Sequence, residues 1–220
     1  MEKNIKVTEN GPYEVYGNIP LDEQEIKTDD KGYPLKYEKT KNNPASETYY
    51  LCRCGHSSTK PFCSWNHLKI KFNGKETAPK NKYIDRADEL EGKNIILTDD
   101  FSLCSQAGFC HGREGETWDL IRSKDKKDNE IAIQQCFDCP SGRLVLWDEK
   151  TKKPIEPDFK PHISILYEPW KKVEGSIWVK GNIPIESSDG YKYEVRNRVT
   201  LCRCGKTGNM PFCDGTHRIN

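Results

Sequence analysis

Aromatic and β-branched residues alternate with polar ones in short runs at both ends of the chain, Tyr33 to Tyr37 and Tyr191 to Val195. Period-two alternation bounded by Gly, Asp and Asn predicts strands joined by hairpins. Between these ends the pattern changes. Asp128-Asn129 followed by Glu130-Ile-Ala-Ile-Gln-Gln-Cys136 predicts an N-capped helix, with Ala132, Cys136 and Cys139 on one face. Pro140-Ser-Gly142 should end it, and Arg143 to Trp147 should form a strand. Residues 148–161, rich in Lys, Pro and Glu, predict a connector, and His162 beside Pro161 reads as part of it, with no specific role.

The two ends are copies of one unit. Val15-Tyr-Gly-Asn-Ile-Pro-Leu21 returns as Val179-Lys-Gly-Asn-Ile-Pro-Ile185. Each is followed by a Gly-containing turn, then the Tyr-rich run, then Leu-Cys-Arg-Cys-Gly at 51–55 and 201–205. Matches in the same order over this length mark an internal repeat. The expected organisation is an N-terminal unit at 1–75, a middle domain at 76–165 and a C-terminal unit at 166–220.

Composition narrows the function. Only 34% of the 220 residues are hydrophobic and 31% are charged, so small lobes of this chain need a metal, a disulfide or a partner to hold them. Lys+Arg 35 against Asp+Glu 34 leaves no basic footprint for nucleic acid. No leader-like apolar region and no stretch of about 18 apolar residues is visible, so the expectation is a cytoplasmic protein without a membrane span. Ten cysteines in such a chain point to metal binding or redox chemistry rather than to structural disulfides.

The spacing is specific. The C-terminal copy reads Cys202-Arg-Cys204-Gly-Lys-Thr207-Gly-Asn-Met-Pro211-Phe-Cys213-Asp214-Gly-Thr-His217, four soft or borderline ligands within sixteen residues. These segments predict loops, with a short helical turn capped by Asp214. One turn of that helix would bring His217 to the side of Cys213. The N-terminal copy places Cys52, Cys54, Cys63 and His67 at the same positions. Three cysteines and a histidine also suit structural zinc, and spacing alone leaves zinc and iron–sulfur both open. His56, inside the first loop, is a candidate outer-shell donor or merely exposed.

The C-terminal segment resembles the CDGSH iron–sulfur (mitoNEET-like) family, whose pattern Cys-x-Cys-x2-Ser/Thr-x3-Pro-x-Cys-Asp-Gly-Ser/Ala/Thr-His it meets throughout. The N-terminal copy keeps the ligand positions with Ser57 and Pro61, but carries Ser64, Trp65 and Asn66 where the family has Asp, Gly and Ser. The resemblance implies a [2Fe–2S] cluster in each copy, with Cys52 and Cys54 or Cys202 and Cys204 on an inner iron. Cys63 with His67, or Cys213 with His217, would hold an outer iron nearer solvent. Ser64 is expected to cap a helical turn still. Single-motif members form intertwined homodimers, so this chain is expected to fold by itself as a monomeric pseudo-dimer. The implied fold class is α+β and β-rich: two small units of strands, cluster loop and short helix around a small ferredoxin-like middle domain.

Cys104-Ser-Gln-Ala-Gly-Phe-Cys110 and, further on, Cys139-Pro140 resemble divergent mono-cluster ferredoxin-like domains. The resemblance implies a third site at Cys104, Cys110 and Cys139 for a [3Fe–4S] or [4Fe–4S] cluster, with His111 or Cys136 as a candidate fourth ligand. The alternative is that these cysteines are buried small hydrophobes, above all Cys136.

A histidine ligand makes a cluster pH-sensitive and raises its potential relative to all-thiolate ligation. The expected function is electron transfer, redox sensing or cluster transfer, with a redox partner or an apo-protein acceptor. A zinc-stapled interaction module and an iron–sulfur oxidoreductase with its own substrate are the alternatives. No dinucleotide fingerprint, P-loop or nucleophile–base pair supports an enzyme.

Overall fold

The strand-forming alternation begins earlier than the repeated motif. In the computed structural model, which describes residues 2–92 and 95–219, the N-terminal copy runs through β1 (Asn4–Val7), β2 (Tyr13–Tyr16), β3 (Leu21–Thr28), β4 (Pro34–Asn43) and β5 (Thr48–Leu51). It ends in a cysteine loop and the one-turn helix α1 (Asn66–Lys69). The middle segment contains β6 (Asp88–Glu91), β7 (Ile95–Asp99), β8 (His111–Gly112), β9 (Gly115–Glu116), α2 (Thr117–Leu120), α3 (Lys126–Asp138), β10 (Leu144–Asp148) and β11 (Pro154–Ile155). The C-terminal copy has β12 (His162–Glu168), β13 (Val173–Lys180), β14 (Ile185–Glu186), β15 (Arg198–Leu201) and a 3-10 turn at Thr216–Arg218.

The two copies exchange strands. β1 lies antiparallel to β2 with Ile5 opposite Val15, and β12 lies antiparallel to β13 with Ile163 opposite Val179. After each Gly-Asn turn the chain crosses to the other copy: β3 pairs parallel with β12, Leu21 beside Ile163, and β14 pairs parallel with β1, Ile185 beside Ile5. The resulting sheets, β14-β1-β2-β5 and β15-β13-β12-β3-β4, each contain strands of both copies. Their inward residues, among them Ile5, Val15, Leu21, Ile163, Ile177, Val179 and Leu201, form one core. Neither copy can bury its apolar face without the other, which is the pseudo-dimer expected from the repeat. His162 is therefore the first residue of a paired strand rather than part of a connector, and its Nε2 lies 3.0 Å from Asp22 Oδ2. The composition boundary after residue 165 falls inside β12, because Ile163 and Ile165 already point into this core.

The middle domain packs α3 on the antiparallel sheet β11-β10-β7-β6 around Leu97, Ile121, Ala132, Cys136, Leu144 and Leu146. The helix starts two residues before the expected cap: Asp125 Oδ1 accepts from Lys127 N at 2.8 Å, while Asp128 accepts from the Ser123 hydroxyl. Cys139 is extended, off the helical face that holds Ala132 and Cys136. Pro140 explains this, since the residue before a proline is pushed out of the helical region.

This domain lies on the outer face of the five-stranded sheet. Arg198 of β15, almost wholly buried, donates to the carbonyls of Cys136 (2.7 Å), Cys139 (2.8 Å) and Leu144 (3.2 Å) and pairs with Glu156 at 3.0 Å. Tyr37 of β4 donates to the Asp138 carbonyl at 2.6 Å and stacks between Phe109 and Trp178. Among the described residues, no helix is long and apolar enough to cross a membrane.

Candidate metal centres

Each cysteine loop is built on the strand before it, and the two are wired alike. The amides of Cys52 and Cys202 donate to the carbonyls of Pro61 and Pro211, both at 2.9 Å, and Pro61 and Pro211 both follow cis peptide bonds. Cys63 N donates to Tyr50 O, and Cys213 N to Thr200 O, each at 2.9 Å. The hydroxyls of Ser57 and Thr207 donate to the carbonyls of Phe62 and Phe212 and so close the loops. These bonds fold the loop back until the first and third cysteines share one side.

The candidate ligands come together in pairs. Cys52 Sγ and Cys54 Sγ are 3.8 Å apart, and Cys202 Sγ and Cys204 Sγ 3.6 Å. His67 Nδ1 is 3.4 Å from Cys63 Sγ, and His217 Nδ1 is 3.4 Å from Cys213 Sγ. Among the described residues, no three His, Cys, Asp or Glu side chains converge on a single-ion position. The two loops meet at a backbone bridge between Cys54 and Cys204. Gly55 and Gly205 permit it: a Cβ on either would stand 2.7 or 2.8 Å from the opposite cysteine carbonyl oxygen.

Burial makes Cys54, Cys63 and Cys213 reluctant to ionise without a cation. It pushes Cys54 up to about 11, with the adjacent Cys52 adding to the shift. Burial likewise drives Cys213 well above the ordinary thiol range. Cys202 and Cys204 share a hydrogen bond that holds the first protonated and lets the second ionise more easily. A bound metal that deprotonates all three removes this conflict. The imidazole of His67 is held below its usual value by burial and by Arg53, which keeps it neutral and able to ligate.

The surroundings of the two sites differ. Asp214 accepts from Gly208 N at 2.8 Å and from Thr216 N at 3.0 Å, so it caps the turn. Ser64 accepts from Ser58 N at 3.1 Å but makes no cap bond to α1. The expected Ser64 cap is absent: its hydroxyl oxygen is turned to Ser58 N, and Trp65 occupies the position before α1 without a side-chain cap bond. His217 Nε2 faces Glu168 Oε1 at 3.4 Å, and Glu168 is gripped by Arg218. Burial alone would raise the Glu168 carboxyl; His217 and Arg218 outweigh it and hold it below the usual range. His67 has Trp65 beside it instead, with ring centroids 5.6 Å apart. In the N-terminal copy Cys63 is more exposed than Cys52 and Cys54, while His67 is buried. In the C-terminal copy Cys213 is 2% exposed, close to Cys202, and only Cys204 is more exposed; Ser102 and Cys104 of the middle domain lie against that loop. His56 is exposed and contributes its carbonyl to Asn66.

Cys104, Cys110 and Cys139 line one cavity of about 410 Å³. Cys104 follows a 3-10 turn at Phe101–Leu103 that Asp100 caps through Ser102 N. Arg143, held by both oxygens of Asp99, donates to Cys104 Sγ at 3.2 Å. Burial, with Cys139 nearby, pushes Cys110 up to about 12. His111 also lines the cavity; Cys136 does not, and lies in the domain core with Ala132. Three soft donors around one cavity, with a guanidinium on one thiol, fit an iron–sulfur group. At the two ends, paired soft donors in buried loops fit such a group as well.

Sequence reasoning missed Glu168, which is distant in the chain from His217 and outside any motif. It also missed Arg53, whose guanidinium donates to the carbonyls of Thr8, Gly11 and Gly74 and ties the loop to the sheet. The signal was present, since both copies read Cys-Arg-Cys.

The family model for the iron-binding zinc finger of CDGSH type matches residues 10–68 and 174–218, and that for a divergent 4Fe-4S mono-cluster domain matches 90–149. No curated protein and no solved structure matches the chain. The matches cover both repeated cysteine loops and the segment holding Cys104, Cys110 and Cys139, so this is an iron–sulfur protein. The chain carries two iron-binding domains of the CDGSH type flanking a divergent 4Fe-4S mono-cluster domain.

Proposed function

We propose that the protein is an electron carrier with three clusters. Cys52, Cys54, Cys63 and His67 hold one [2Fe–2S] cluster, and Cys202, Cys204, Cys213 and His217 hold another. Cys104, Cys110 and Cys139 hold a [3Fe–4S] or [4Fe–4S] cluster, with His111 at hand as a fourth ligand. The observation that carries this reading is the pairing of ligands. A structural zinc ion needs four donors around one point; two pairs suit two irons, each completing its shell with bridging sulfide.

When bound, such clusters supply one-electron chemistry at potentials that their ligands and surroundings tune. The protein's part is to orient the imidazoles, keep that of His67 neutral and exclude water from the inner thiolates. The reading is a carrier serving a redox partner in a reducing, cytoplasmic setting, rather than an enzyme with its own substrate. Handing a cluster to an apo-protein is a second reading, favoured by the more exposed Cys63 of the N-terminal site.

The test is anaerobic purification with iron, acid-labile sulfide and zinc measured per chain. About four irons and four sulfides from the two ends, with about three or four more irons from the middle, are expected. Stoichiometric zinc without sulfide would sink the reading, and substrate-dependent turnover would replace the carrier with an enzyme.

A further inference from the structure

Gly215 stands midway between Cys213 and His217, and it is where the C-terminal site touches the middle one. A Cβ on Gly215 would lie 2.9 Å from the carbonyl oxygen of Cys104 and 2.6 Å from Cγ of Gln106. Its own amide donates to Cys213 Sγ at 3.5 Å. From the Cys213 sulfur to the Cys104 residue the path is therefore one hydrogen bond, one residue and one van der Waals contact.

Two more contacts fix this junction. Asn209 of the C-terminal loop donates to the Ser102 carbonyl at 2.9 Å, beside Cys104. Arg218, next to His217, lines the cavity of the three middle cysteines.

The N-terminal copy has no such junction. Its residue at the Gly215 position is Trp65, with φ +62° against +84°, so the backbone path is the same. Trp65 is 52% exposed, and its ring contacts are with Tyr50 and His67 of its own copy. A bulky side chain at positive φ is strained, and at Gly215 it would also collide with Cys104. The N-terminal loop instead meets the C-terminal one at the Cys54–Cys204 bridge.

We propose that the chain is an ordered one-electron relay. The Cys104–Gly215 contact joins the middle site to the C-terminal site, and the Cys54–Cys204 bridge joins the C-terminal site to the N-terminal one. The N-terminal site then exchanges electrons with the middle site only by way of the C-terminal site. This rests on the reading that all three sites hold clusters. Each transfer moves one electron, with no bond made or broken. A one-electron donor such as dithionite supplies the electron, and a one-electron acceptor at the exposed N-terminal end removes it.

The test is electron paramagnetic resonance on the anaerobic full-length holoprotein, with iron and sulfide counted in the same samples. His67→Cys and His217→Cys variants identify the signal of each end site. Magnetic interaction with the reduced middle site is expected at the C-terminal signal and absent from the N-terminal one. Gly215→Trp, and the milder Gly215→Ala, should weaken or abolish that interaction and slow the arrival of electrons at the N-terminal site; Trp65→Gly should do neither. Direct coupling of the middle site to the N-terminal signal in the wild-type protein would overturn the relay, whatever the variants do. So would unchanged coupling in a fully loaded Gly215→Trp protein. Wild-type counts that lack the middle cluster would instead remove the reading beneath it.

Discussion

Replacing Arg198 with methionine should loosen the middle domain from the sheet that carries it. The side chain is 2% exposed, and the substitution keeps most of its apolar packing while deleting every polar contact. Three carbonyls, those of Cys136, Cys139 and Leu144, then lose the guanidinium and Glu156 loses its cation, although Cys136 O keeps Cys139 N at 3.2 Å and Cys139 O keeps Gly142 N at 3.4 Å. Each lost hydrogen bond from the charged guanidinium costs about 1 kcal/mol or more. Breaking a fully buried pair by removing one partner costs about 3–5 kcal/mol. Glu156 is 22% exposed and recovers part of this from water, so the smaller end of the range applies to the pair. The sum is about 6 kcal/mol, comparable with a whole domain stability of about 5–15 kcal/mol. Urea denaturation of the anaerobic holoprotein measures it. Repeating the change in a Glu156→Gln background separates the carbonyls from the ion pair, and about half of the loss should persist there. The carbonyl of Cys139 loses the shorter of its two hydrogen bonds, so middle-site iron should be lost at lower urea than end-site iron. A loss under about 1 kcal/mol, with middle-site iron retained, would refute this account of domain docking.

Further outcomes follow from the same structure. His67→Cys or His217→Cys should lower the potential of the altered cluster and blunt its bleaching by acid, read by spectroelectrochemistry and pH titration. Burial opposes ionisation of Asp22, but His162, Ser164 and Gln24 prevail and hold its carboxyl at about 2. Its folded value is thus below its unfolded one, and its contribution is present above about pH 4 and fades as pH falls towards 2. Asp22→Asn should therefore lower the melting temperature at neutral pH, with the gap to wild type closing in acid. Gly55→Ala places a methyl group 2.7 Å from the Cys204 carbonyl oxygen at φ +81° and should cost about 1–3 kcal/mol. It should also reduce cluster retention at both ends, seen as iron and sulfide per chain.

The ligand loops were legible because their chemistry is local: cysteines, a proline and a histidine at fixed spacing. The repeat was legible from Gly-Asn-Ile-Pro onward, but its first strand was not. Asn4–Val7 and His162–Glu168 occupy equivalent places in the fold, yet share only the alternation that fills the core. Strand exchange between copies was expected only through the family resemblance, since the partner of a parallel strand lies far away in the chain. The start of α3 was misplaced because two aspartates, Asp125 and Asp128, both precede apolar residues, and the hydroxyl of Ser123 engages Asp128. Glu168 and Arg143 act on the sites through contacts distant in the chain, and Gly215 through one between domains, which no local pattern encodes. Gly215 could be read as a family residue; only the fold shows Cys104 against it.

The most direct test of the central claim, a histidine-ligated cluster at each end, is nitrogen-resolved pulsed electron paramagnetic resonance on the dithionite-reduced protein. The account predicts imidazole nitrogen coupling to two distinct reduced-cluster signals, one lost in His67→Cys and the other in His217→Cys. A reduced protein without imidazole coupling, or one whose couplings survive both substitutions, would contradict it.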